Sequence, residues 1–305
     1  VKPPVEIACD ESGYEGEKLI GGVTDVFAHA AVALDEETAA RCIKELRERI
    51  RSPATEYKAN HVLRSKHRPV LIWLLGSSGP LFGQAQVQLV DKAFFLVSRL
   101  VGFLTDTDAD GTLAARLYAA GRRTGGPAWS DFLATANNLL RAKDLPEATT
   151  PVESFYQALG ALPLDELDAL KSSRPYADQL RAGLFDDPRS IPPLDPLMPA
   201  IVRAIEYWGE PDRTVAIAHD RQTTLSPDRI AQLKQLTGNL AELELVDSFS
   251  HPRVQVADFL AGVARKIASD QLKGTDDAEL TTLLRPYVDP LSTWSDPSSW
   301  DRLTS

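Results

Sequence analysis

Cysteine is scarce: Cys9 and Cys42 are the only two in 305 residues, which excludes a disulfide framework. Long apolar runs are missing as well. Residues 70–75 form a short run, and 94–104 is interrupted by Arg99, whereas a membrane-spanning helix needs about 18 or more apolar residues in succession. No membrane association is expected. The opening Val1-Lys2-Pro3-Pro4 runs into a strand-like pattern without the roughly 7–15-residue apolar core of a secretory signal. These absences together predict a soluble protein of a reducing, cytoplasmic compartment. Positive charge is in deficit too, with 33 Lys+Arg against 43 Asp+Glu and a net charge of −10. A passive nucleic-acid coat needs a broad basic face, so contact with nucleic acid is expected to be local or metal-assisted. Three common site signatures are absent. No Gly-x-Ser-x-Gly elbow surrounds Ser12, Gly76-Ser77-Ser78-Gly79 lacks the Gly-Lys-Ser/Thr ending of a phosphate loop, and no Cys/His spacing suits structural zinc.

What is present reads as α/β. A hydrophobic share of 43% and a charged share of 25% are ordinary globular values, and at roughly 150 residues per domain the length suggests about two domains. Val5-Glu6-Ile7-Ala8-Cys9-Asp10 alternates with period two, as a half-buried strand does. Residues 27–34 are apolar or small apart from His29, and 18–23 offers a strand between the two. A helix is predicted from Asp35-Glu36-Glu37-Thr38 onward, where Ala39, Cys42, Ile43, Leu46 and Ile50 recur at helical spacing behind an acidic first turn. Residues 84–208 read as a helical insertion with almost no strand pattern, broken by glycines and prolines. Strand grammar returns at 214–220 and 243–246, with a helix at 227–236 between them and a long helix at 253–273 after them. The predicted division is therefore a core in two parts, 1–83 and 209–273, an insertion at 84–208, and a C-terminal tail at 274–305, whose stretch 289–305 is expected to be irregular and docked by Trp294 and Trp300.

Three predicted strands end on a carboxylate: Asp10, Asp220 and Asp247. In parallel sheets ligands gather beyond the carboxyl ends of the strands. Aspartate also serves there as a turn former or helix cap. A fourth acid, Asp258, lies about 160° from the aliphatic stripe Val256, Leu260, Val263 and Ile267, at roughly 100° per residue. Ala257, Ala261 and Gly262 crowd its side and invite a close neighbour. Clustered carboxylates repel one another and suit hard cations such as Mg²⁺ or Mn²⁺, which take oxygen ligands and substrate phosphates.

Asp10-Glu11-Ser12-Gly13, Glu56-Tyr57-Lys58, the strand-end Asp220 and Val254-Gln255-Val256-Ala257-Asp258-Phe259-Leu260-Ala261-Gly262 together resemble the bacterial family known as domain of unknown function 3800. That family is grouped with ribonuclease H-like folds. The resemblance covers roughly residues 5–83 and 214–269 and leaves out the helical middle. It implies a ribonuclease H-like mixed sheet with flanking helices, and metal-dependent phosphodiester cleavage by Asp10, Glu56, Asp220 and Asp258. Asp247 is held in reserve as a metal ligand on its strand-end position alone. Fold alone does not fix function.

Around such a site, Ser12, Lys58 and His251 are candidates for contact with substrate, and Arg122 and Arg123 beside Gly121 and Gly125-Gly126 would offer positive charge from the insertion. Arg64-Ser65-Lys66-His67-Arg68 is the densest basic segment. The expected function is a divalent-metal nuclease or related phosphodiester hydrolase acting on nucleic acid or nucleotide. The alternative is a non-catalytic binding or regulatory module of the same fold that meets a protein partner through the insertion.

Overall fold

The computed structural model describes residues 2–51, 59–105, 111–142, 150–164, 167–184 and 191–304. Its centre is a five-stranded mixed sheet in the order β3-β2-β1-β4-β5. β1 (Val5–Ser12) and β2 (Val26–Val32) run antiparallel, as do β2 and β3 (Ala85–Asp91), while β1, β4 (Val215–Asp220) and β5 (Leu240–Val246) are parallel. The parallel half follows from the long connections, since each of its crossovers carries helices. The expected strand at 18–23 is replaced by bends held by loop hydrogen bonds.

One face of the sheet is covered by α1 (Glu36–Ile50), the short α2 (Ala59–Val62), α3 (Arg68–Leu75) and, further along the chain, the long α12 (Pro252–Lys273). α1 begins on Asp35, whose side chain accepts the Thr38 N–H, and it buries Ala39, Cys42, Ile43, Leu46 and Ile50. The other face carries α4 (Lys92–Leu104), α5 (Thr112–Thr124), α6 (Gly126–Leu140), α7 (Pro151–Ala161), α8 (Asp168–Ser172), α9 (Arg174–Gly183), α10 (Leu197–Trp208) and α11 (Pro227–Thr237). With helices on both sides, β2 is buried along its whole length. Alternation sorts β1 between the two layers: Ala8 packs beneath α12, whereas Ile7 and Cys9 face the helical middle.

Two expectations are corrected. The segment 84–208 is not helical from its start, because Ala85-Gln86-Val87-Gln88-Leu89-Val90-Asp91 is the outer strand β3 of the core sheet. The stretch 289–305 is not irregular throughout either. The tail forms α13 (Ala278–Leu284) ahead of it and α14 (Pro297–Thr304) within it, and between the two it lies along β3, where Asp289 N–H bonds Val87 O at 2.8 Å and Thr293 N–H bonds Leu89 O at 2.9 Å. This cover pairs the outer edge of β3, which would otherwise present unpaired peptide groups. Trp294 is buried and its ring lies 6.4 Å from that of Trp300, as docking by the tryptophans requires. Among the described residues no helix is long and apolar enough to cross a membrane.

Candidate functional site

Asp10 and Asp220 stand at the carboxyl ends of neighbouring parallel strands. The register pairs Cys9 with His219, so the residues that follow them, Asp10 and Asp220, share the opposite face, the one toward α12. Asp10 is buried, and one carboxylate oxygen accepts the Glu11 N–H at 2.7 Å. Its carboxyl titrates well above the ordinary range, first because burial disfavours its charge and then because Glu11, Asp258 and Asp220 repel it. Asp220 is half-buried and accepts the Ser248 N–H at 3.2 Å, which ties the loop before α12 to the end of β4. Asp258 comes from the N-terminal half of α12, which lies across β1 and β2. Close approach on this side of α12 depends on Gly262, where a Cβ would fall 2.2 Å from that of Ala59 and 3.9 Å from Ser12 Oγ.

Glu11 projects to the other face and meets histidines that sequence reasoning did not select. Gln222 Nε2 donates to one Glu11 oxygen at 2.6 Å; the other is buried without a hydrogen-bond partner, 3.7 Å from His219 Nε2. His219 Nε2 is 3.3 Å from His29 Nε2, and His219 Nδ1 is 2.8 Å from the carbonyl of Asp220. A carbonyl only accepts, so His219 carries a proton on Nδ1, and in its neutral form its Nε2 takes a hydrogen bond from His29 Nε2–H. Burial, followed by the neighbouring His219, holds the titration of His29 well below that of a free histidine. The signal for this chain was visible in His29 as the one polar residue in an otherwise apolar strand.

The remaining candidates separate. Glu56 and Lys58 lie outside the described residues. Asp247 is exposed and caps a short 3-10 turn by accepting the Phe249 N–H at 3.0 Å; its carboxylate is not one of those acting on Asp10. His251 begins α12 and lines a groove with Glu6, Ala216, Ala218, Glu242 and Glu244, below the strand ends that carry the acids. Ser12 Oγ accepts from Arg265 Nε at 3.0 Å.

Arg122 is engaged elsewhere. It donates to Leu272 O at 3.0 Å, lies 4.0 Å from Asp296 and covers the Tyr118 ring. Leu272 is fourteen positions beyond Asp258 on α12, or about 21 Å at 1.5 Å per residue. Arg122 therefore joins the insertion to the far end of that helix, and the adjacent Arg123 is exposed at the same end of α5. The pair does not sit at the acids. Arg68 of the basic segment is likewise committed, bonding Asp277 at 2.6 Å and pairing with Glu279.

Comparisons with known proteins give no match: no family model fits the chain, and no curated protein or solved structure is significantly similar to it. The site stands on its own chemistry. Among the described residues no three acidic, histidine or cysteine side chains converge closely enough to hold one ion by themselves. The donor set is nonetheless all oxygen, and Asp10 already bears the cost of like charges around it. Mg²⁺ is commonly held by one or two carboxylates, with waters and substrate phosphates completing its octahedron. The Asp10 and Asp220 pair fits that demand.

Proposed function

We propose that the chain is a divalent-metal-dependent nuclease or related phosphodiester hydrolase on a ribonuclease H-like core. The observation that carries this reading is the burial of Asp10 among the charges of Glu11, Asp258 and Asp220 at the carboxyl end of the parallel strands. Such repulsion destabilises the empty fold, and a cation relieves it. The acids also fall on the first strand, the fourth strand and the helix over them, the positions that the resemblance implies. Asp10 and Asp220 would hold Mg²⁺ or Mn²⁺ together with waters and substrate phosphate, with Asp258 and Glu56 as the further acids of the site. When bound, such an ion supplies Lewis-acid polarisation of a phosphodiester and stabilises charge on its leaving group.

The protein's own part is positioning. The peptide N–H groups of Glu11 and Ser248 fix the Asp10 and Asp220 carboxylates, and the strands beneath them are paired on both sides in the sheet. The test is incubation of single-stranded DNA, single-stranded RNA and a mononucleotide with Mg²⁺ or Mn²⁺. Metal-dependent cleavage that disappears in Asp10→Asn is expected. Metal binding without cleavage of any of the three would leave a non-catalytic binding module, with the helical middle as its surface for a protein partner.

A further inference from the structure

The basic residues of α12 are nearly all neutralised by acids. Arg253 bonds Glu6 at 3.1 Å, Lys266 pairs with Asp270 and Lys273 with Asp25 at 3.0 Å. Arg265 is the exception. In a protein with ten more acids than bases, no carboxylate among the described residues pairs with it, and its guanidinium is steered by a hydroxyl, Ser12 Oγ, at 3.0 Å from Nε. The path of its side chain is made by Gly13. That residue has φ +83°, and a Cβ there would fall 2.8 Å from Arg265 Cδ and 2.4 Å from Val26 O. A side chain at 13 would thus be strained in its backbone and would push the arginine aside.

Arg265 follows Asp258 by seven positions, nearly two full turns, so both project from the same side of α12, about 10.5 Å apart along its axis. Helical side chains lean toward the N-terminus, which tilts Arg265 back toward the acids. Its two terminal nitrogens offer a fork of N–H donors, the geometry that matches a phosphate. A stacked strand advances about 3.4 Å per nucleotide, so about 10 Å corresponds to roughly three steps.

We propose that Arg265, aimed by Ser12 and accommodated by Gly13, binds a backbone phosphate of a polynucleotide within about three nucleotides of the bond cleaved at Asp10. The inference rests on the phosphodiesterase reading and deepens it, because a mononucleotide has no second phosphate at that distance. Asp10, Ser12 and Gly13 of Asp10-Glu11-Ser12-Gly13 then have parts in one device: an acid at the reaction centre and the two residues that set Arg265.

The experiment compares cleavage of a DNA or RNA hexanucleotide with that of the matching dinucleotide in Mn²⁺, together with hexanucleotide affinity across a salt series in Ca²⁺. The wild type should favour the hexanucleotide. In Arg265→Ala that preference should shrink about tenfold and the salt slope should fall by about one, as for a lost phosphate contact. Arg265→Lys should recover part of the preference, and Ser12→Ala should lose part of it. Arg265→Gln, which keeps a donor for Ser12 but no charge, should show the same loss even where the alanine variant folds poorly. A wild type that cleaves while Arg265→Gln keeps its preference and slope would overturn the assignment of Arg265 alone. A wild type that cleaves neither oligonucleotide would overturn the phosphodiesterase reading and the assignment with it.

Discussion

His29 and His219 stack with ring centroids 5.4 Å apart and their Nε2 atoms 3.3 Å apart, both rings fully buried between β2 and β4 on the face turned away from α12. Only one of the two facing nitrogens can carry a proton, so the contact is directional, and His219 Nδ1 continues it to the Asp220 carbonyl.

This arrangement sets a pH dependence. The fold lowers the titration of His29, chiefly by burial, so the stability it contributes is present above about pH 6.5, where the unfolded histidine is neutral, and is lost as the pH falls below that value. His29→Gln keeps a donor toward His219 without a titrating ring. Its melting temperature should fall less steeply than that of the wild type as the pH drops from 6.5 to 5. Parallel curves would show that His29 does not titrate with unfolding.

Asp91 acts in the opposite sense. It caps α4 by accepting the Ala93 and Phe94 N–H groups and receives the Tyr118 hydroxyl, yet burial outweighs these bonds and pushes its carboxyl up to about 6. A raised carboxyl favours the fold below the unfolded value near 3.9, and that contribution is lost as the pH rises through about 6. In Asp91→Asn the amide oxygen still accepts at the helix start, and the fall in stability between pH 4 and 6 should flatten. Because His29 has the opposite sign in part of this window, the difference between mutant and wild-type curves is the measurement that isolates each group.

At Gly262 the prediction concerns packing. A methyl group there meets Ala59 at 2.2 Å, so Gly262→Ala should destabilise the fold by about 1–3 kcal/mol, as overpacked cores do, despite the better helix propensity of alanine. Chemical denaturation of the variant checks this. Unchanged or greater stability would mean that the segment at Ala59 yields without cost.

Much of this was legible in the chain. β1, α1, β4 and α12 carry their period, their caps and their acids in local sequence, and the positions of Asp10, Asp220 and Asp258 follow from them. β3 was hidden because its partners are remote. Gln86 and Gln88 look like the wet side of a helix or loop, but they are buried through bonds to Asp289 at 2.8 Å and to Leu291 O at 3.0 Å, some two hundred residues away. Asp247 misled because a strand-end acid and a turn cap share one local pattern. Arg122 misled because its acceptor, the carbonyl of Leu272, belongs to a helix end that lies far from it in sequence.

The carboxylate site is tested most directly by thermal unfolding in a Mn²⁺ titration of the wild type and Asp10→Asn. Asparagine keeps an oxygen for the Glu11 N–H while removing a charge that three neighbouring acids oppose. Without metal, Asp10→Asn should therefore melt above the wild type at neutral pH. With metal the order should reverse: the wild type gains about 2.7 kcal/mol at one hundred times its dissociation constant, and the variant gains little. An equal Mn²⁺ shift in both proteins, or none in either, would contradict a metal site at Asp10.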